Sequence, residues 1–374
     1  MTENSTQVPV KASRIDMNKL DRMVRRFERI FTFLVPIIAV LSALILMAFL
    51  ILSVGSDPWV AYQGLFSGMF GNNYDTANTL NRAAPLMLMG LGVAVAYRGG
   101  LFNIGGEGQI AMGGLFASIV GIYVTGIPSI VHIPLCILAG FIGGAVWSIL
   151  PGYFFAKHGI NLIITTVMMN EIANSLIPAI VKGPMLEPPG YEPQSYKVLE
   201  SARLPLIWEG TRLHAGILIA ILAAVIFYIV LFRTPFGFAV RCVGENETAA
   251  KHSGLKVFRI RMILMMISGG LGGIAGSVEI LGAQYRLREA FLANYGYEAL
   301  AVALLGQKHP LGVIISGVLF GGLKAGGASM QRATNLPMAL VAVVSGVIIL
   351  FVIASGILMR LPRYLAKKEA SRGA

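Results

Sequence analysis

Long apolar runs alternate with short polar breaks along almost the whole chain. The runs predict ten helices, at 31–54, 83–97, 103–126, 134–156, 160–181, 213–232, 261–283, 293–306, 310–327 and 337–359. Most of them have the ~20 residues that an α-helix needs to cross a bilayer. The runs at 83–97 and 293–306 are shorter. Short spans interrupted by polar residues are the mark of broken or re-entrant helices around a transport path. The expected fold is therefore an all-α polytopic membrane protein of about ten transmembrane helices, or eight full spans if the two short ones are re-entrant. Spans two to five and seven to ten would run in opposite senses, as an inverted repeat requires. The first run is too long for a signal-peptide core and reads as an uncleaved span.

Polar segments frame this membrane domain of residues 31–359. Residues 1–30 are basic, and Leu20, Met23, Val24, Phe27 and Ile30 form an apolar helical stripe among Arg22, Arg25, Arg26 and Arg29. Such a stripe suits a helix lying on anionic lipid, or a cytoplasmic extension of the first span. Residues 360–374 form a second basic tail. Two connections are long. Residues 182–212 carry five prolines, and residues 233–260 are rich in charge. With the N-terminus inside, 21 of the 30 Lys and Arg residues fall on the inner side. That bias predicts a cytoplasmic location for both termini and for 233–260, and an external location for 182–212.

Composition agrees with this. The chain is 56% hydrophobic but only 13% charged, against roughly 25% charged in soluble domains. A soluble enzyme is excluded on that ground. The net charge of +12 is explained by topology, so no nucleic-acid partner is expected. Cys136 and Cys242 lie in or beside apolar runs, which points away from a disulfide framework. The five histidines are scattered, and neither HExxH nor CxxC occurs, so no metal is expected. No Walker A string is present, so the chain itself binds no ATP.

Polar residues at membrane depth are the sharper signal, because they are costly there. The segment 98–114, RGGLFNIGGEGQIAMGG, places Asn103, Glu107 and Gln109 among seven glycines. Glycine permits unwinding, and freed backbone groups can then face a cavity. The segment 161–174, NLIITTVMMNEIAN, puts Thr166, Asn170 and Asn174 on one stripe, with Glu171 beside them and Asn161 at its start. The segment 294–298, NYGYE, adds Asn294, Tyr295 and Glu298. These eleven residues are the candidate lining of a substrate path. Each could instead be an interhelical hydrogen bond that only holds the bundle together.

In the 233–260 loop, GENETAAKHSGLKV at 244–257 predicts a short helix from Glu247 to His252 stopped at Gly254. TPFGFAVRCVGENETAAKHSGL at 234–255 resembles the cytoplasmic coupling segment of bacterial ABC importer permeases. PLMLMGLGVAVAYRGGLFNIGGEGQIAMGG at 85–114, NLIITTVMMNEIA at 161–173 and FLANYGYEALAVALLGQKHPLG at 291–312 are similar to the ribose, branched-chain amino acid and nucleoside permease superfamily. The basic N-terminal extension and the long external loop resemble the longer permease of basic-membrane-protein-type nucleoside importers. The resemblance implies a type II importer-like fold in the bacterial plasma membrane. It also implies a shorter permease as heterodimer partner, an ABC ATPase carrying ATP and magnesium, and an external nucleoside-binding lipoprotein. No cofactor would be bound by this chain. The resemblance further implies that Gly244, Glu245, Asn246, Glu247, Ala249, Ala250, Lys251 and Gly254 meet the ATPase. Simple sugars and branched-chain amino acids compete as cargo. An ion-coupled secondary transporter using Glu107, Glu171 and Glu298 is the alternative of another class. An intramembrane enzyme lacks the paired catalytic groups it would need.

Overall fold

The computed structural model describes residues 44–334, apart from 290 and 292, with a few isolated positions on either side. The basic segment 1–30, the predicted span 337–359 and the tail 360–374 lie outside the described residues. What is described is all-helical, with three isolated β-bridges and no strand among the described residues. The order is α1 (Leu44–Ser53), α2 (Pro58–Phe70), α3 (Asn73–Arg98), α4 (Gly106–Tyr123), α5 (Ser129–His158) and α6 (Leu162–Lys182). It continues with α7 (Gly216–Arg233), α8 (Pro235–Glu245), α9 (Glu247–His252), α10 (Val257–Glu279), α11 (Tyr295–Leu305) and α12 (Pro310–Thr334). A π-turn, Ile280–Gln284, extends α10.

Among the described residues, six helices are long and apolar enough to cross a membrane: α3, α5, α6, α7, α10 with its π-turn, and α12. Their outward faces are apolar too. Ile142, Val146 and Leu150 on α5 are exposed, as are Leu218, Leu222 and Ile229 on α7. Exposed apolar faces repeated over long helices are what lipid solvates, so the chain is a polytopic all-α membrane protein.

Capping chemistry sets several helix starts. Asp57 accepts from the Trp59 amide ahead of Pro58, and Asn72 accepts from the Asp75 amide. Each side chain satisfies an amide that the first helical turn leaves unpaired. Asn161 and Asn246 do the same for α6 and α9. Gly159, at φ +69°, ends α5 in the left-handed region where glycine carries no steric penalty.

Two expectations change. The short span at 83–97 belongs to a helix of 26 residues, because Asn72 caps it eleven residues earlier and its first turns are polar. The helix α2 was not expected. Its run of 13 residues is too short for a span.

The bundle is built around α3 and α10. The apolar window of α3 is 83% buried, against 28% for α6 and α7. Close approach comes from glycine. At the crossing of α5 and α10, a Cβ on Gly144 would collide with the Gly269 carbonyl, and one on Gly273 with the Gly140 carbonyl. Small residues allow backbones this close, which is how apolar helices attract each other within lipid.

Candidate functional site

Two helices begin inside the bundle. Ahead of α4 the chain is non-helical from Leu101 to Ile104, and ahead of α11 it turns at Asn294, whose φ is +68°. Both helices open with the same pattern. Asn103-Ile104-Gly105-Gly106-Glu107 matches Asn294-Tyr295-Gly296-Tyr297-Glu298 at Asn, Gly and Glu. The two starts touch. A Cβ on Gly296 would collide with the Glu107 amide nitrogen. The Gly296 amide donates to Glu107 Oε1 at 3.0 Å. A carboxylate at a helix N-terminus meets amides that the first helical turn leaves unpaired.

The Asn103 segment is held by its own side chains. Asn103 Nδ2 donates to Gln109 Oε1 at 3.1 Å and to Ser268 Oγ at 2.9 Å, while Asn103 Oδ1 accepts from the Gly105 amide. Asn103 and Gln109 are buried and satisfied here. Asn170, on α6, clamps the same turn. Its Oδ1 accepts from the Gly108 amide at 2.9 Å, and its Nδ2 donates to the Ile104 carbonyl at 3.0 Å. Thr166 donates to the Leu162 carbonyl of its own helix, and Asn161 caps α6.

A cavity of about 290 Å³ opens between α4, α6 and α11. Glu107 of α4, Glu171 and Asn174 of α6, and Asn294 ahead of α11 line it, so four of the predicted path residues meet there from three elements. Asn103, Gln109 and Asn170 do not line the cavity but brace the start of α4. Glu298 and Tyr295 face elsewhere. Glu298 Oε1 lies 2.7 Å from Lys324 Nζ of α12, and that ammonium sits 4.2 Å from the centre of the Tyr295 ring. Among the lining residues that the sequence does not single out are one carboxylate, Glu289, and two aromatics, Phe291 and Tyr297. Tyr297 lies within the NYGYE string. Glu289 and Phe291 belong to the connection before it, where no periodicity draws the eye.

That connection is fastened to the long loop between α6 and α7. The Ser195 amide donates to the Leu287 carbonyl, the Leu287 amide donates to Ser195 Oγ, and the Val198 amide donates to the Tyr285 carbonyl, all at 2.9 Å. Ion pairs Lys182–Glu289, at 2.6 Å, and Arg286–Glu187 add to it. The loop therefore grips the segment that supplies Glu289, Phe291 and Asn294 to the cavity.

At the other end, α8 and α9 meet at Asn246, and α9 ends before Gly254, whose φ is +82°. Gly244 packs on the last turn of α3, where a Cβ would collide with the Arg98 carbonyl. Arg261 of α10 holds Glu247 with two bonds, at 2.9 and 2.6 Å. Glu245, Asn246, Ala249 and Lys251 are exposed, while Ala250 is buried. The elbow thus rests on α3 and α10, the two central helices.

Half-helices meeting at a polar cavity, and an exposed helical elbow fixed to the core, define the membrane subunit of a transporter. The chain belongs to the branched-chain amino acid transport system / permease component family, whose model matches residues 76–353. It is 35% identical to the guanosine ABC transporter permease protein NupP of Bacillus subtilis, over 93% of this chain and 100% of that protein. It is 34% identical to the glucose ABC transporter permease protein TsgB13 of Haloferax volcanii, over 86% of this chain and 87% of that protein. It is 31% identical to the nucleoside ABC transporter permease protein NupB of Lactococcus lactis, over 90% of this chain and 95% of that protein. The same two bacteria hold further permease proteins of the same description, NupQ and NupC, 29% and 28% identical over 65% and 66% of this chain. No solved structure matches the chain.

Proposed function

We propose that this chain is one of two permease subunits of an ATP-driven importer, and that nucleosides cross the membrane through the cavity between α4, α6 and α11. The carrying observation is the cavity itself. Its polar lining is made of carboxylates and amides, with Phe291 and Tyr297 as aromatic surfaces. Carboxylates accept from ribose hydroxyls and base N–H groups, and aromatic rings offer stacking surfaces to a base. None of these contacts is a tight clamp, as a path that must release its cargo requires. The names of NupP and NupB favour a nucleoside, and NupQ and NupC favour a second permease beside this one.

The two ends of the chain divide the work. An external binding lipoprotein docks on the loop 182–212 and delivers cargo to the gripped segment 285–294. A partner ATPase binds ATP and magnesium and pushes on the elbow through Glu245, Asn246 and Lys251. Gly244 passes that push to α3, and the Glu247–Arg261 pair passes it to α10. The rest of the architecture follows the same logic: ten spans in the bacterial cytoplasmic membrane, both termini inside, and the repeated N-x-G-x-E pattern opening equivalent helices of an inverted repeat.

Sugar is the second reading, favoured by the likeness to TsgB13. Labelled guanosine uptake by cells expressing the complete transporter, competed with unlabelled guanosine, glucose or leucine, separates them. Uptake competed by guanosine but not by glucose or leucine is expected. Absent guanosine uptake, with labelled glucose taken up in its place, replaces the nucleoside reading with the sugar one. Uptake that persists without ATP, and collapses with an uncoupler, would point to an ion-coupled carrier.

A further inference from the structure

We propose that the groove between the α11–α12 turn, the end of α3 and Leu41 binds one anionic phospholipid. The groove encloses about 670 Å³, within the usual range for a small-molecule site. Its walls are Leu41, Leu305, Ile315 and Leu319, and Arg98 and His309 stand at its rim. Ile315 is 75% exposed and Leu41 is 54% exposed, so an acyl chain lying there covers apolar surface on both sides.

Charge complementarity names the headgroup. Arg98 and Arg241 both stack on the Phe232 ring, at 5.3 and 5.6 Å. Lys308 Nζ lies 3.5 Å from the centre of the Tyr97 ring, in the turn next to His309. Glu245 is the carboxylate acting on Arg98, and the Arg98 Nε bond goes to a neutral group, the Lys308 carbonyl. Arg98 lines the groove, with Arg241 beside it on the Phe232 ring and Lys308 in the adjoining turn, so three cations around one carboxylate leave this end of an apolar groove positive. Basic pockets between membrane helices on the cytoplasmic side hold anionic lipid headgroups in this way. An apolar helix of a partner protein would satisfy the walls but leave that rim unneutralised.

The position gives the lipid a consequence. Arg98 closes α3 directly beneath Gly244 of the elbow, so a bound phosphodiester would brace the joint between elbow and core.

The test uses the complete transporter in nanodiscs of phosphatidylcholine, with or without phosphatidylglycerol. Native mass spectrometry counts retained phosphatidylglycerol, and ATP hydrolysis reports function. Arg98→Gln is expected to weaken phosphatidylglycerol retention about fivefold, the loss of one cation's attraction. Ile315→Trp fills the groove without touching the rim. It is expected to abolish retention and the stimulation by phosphatidylglycerol, while leaving activity in phosphatidylcholine unchanged. A phosphatidylglycerol carrying a photoreactive acyl chain should label α12 in the unmodified transporter, whatever the variants do. Unchanged retention in Ile315→Trp overturns the proposal. So does displacement by glycerol phosphate alone, or cross-linking of Ile315→Cys to the second permease.

Discussion

Lys324→Met is the most informative single change in the membrane domain. Lys324 and Glu298 hold each other at 2.7 Å, with side chains 20% and 17% exposed. The second oxygen of Glu298 is buried and has no hydrogen-bond partner. Removing the ammonium therefore leaves a carboxylate in the bundle with no compensating donor. Breaking a buried pair from one side costs ~3–5 kcal/mol. Partial exposure of both partners places this pair at the lower end, about 3 kcal/mol, or roughly a hundredfold in the folded population. The loss should appear as a lower melting temperature of the purified transporter and reduced yield in membranes. Because α11 carries Tyr297 into the cavity, uptake should fall with it. The exchange Glu298→Lys with Lys324→Glu restores opposite charges at the same two sites. It should recover at least half of the lost stability, with a coupling of more than about 1 kcal/mol. A Lys324→Met protein of unchanged stability would refute this reasoning. So would an exchange variant no better than the sum of its single changes.

Other outcomes follow from the same geometry. Gly273→Val would drive a branched side chain into the Gly140 carbonyl and force α5 from α10. It should cost several kcal/mol and leave little folded protein by fluorescence size-exclusion chromatography. Lys182→Met removes the ion pair that ties the end of α6 to the cavity segment. It should lower uptake and the melting temperature together, and unchanged values of both would contradict the grip on that segment. Burial, and then the nearby charge of Arg98, holds the His309 imidazole below its usual pKa. The unfolded chain then binds the extra proton, so stability should decline as pH falls below about 6.5. His309→Gln should flatten that decline in melting curves.

Much of this fold is written in the run lengths, since a helix in lipid must satisfy its own backbone and show apolar residues outward. The α9 helix and its stop at Gly254 are equally local, fixed by the Asn246 cap and a glycine. The α6 stripe is half legible. Spacing puts Thr166, Asn170 and Asn174 on one face, but depth along the helix decides their work. Thr166 bonds its own helix, Asn170 clamps α4, and Asn174 reaches the cavity. Glu298 shows the limit of reading letters. A carboxylate at membrane depth signals importance, yet its partner Lys324 lies 26 residues away on another helix. Glu289 and Phe291 were illegible because a loop segment takes its place from the contacts that hold it. Those contacts come from residues almost a hundred positions upstream, such as Ser195 and Glu187.

Cysteine accessibility at position 174 tests the transport path most directly. Cys136 and Cys242 are first replaced, and Asn174→Cys is introduced on the cavity wall. Treatment with a membrane-impermeant thiol reagent should modify the new cysteine, block uptake of labelled nucleoside, and be slowed by saturating unlabelled nucleoside. Complete modification with uptake unimpaired would place the path somewhere else in the molecule.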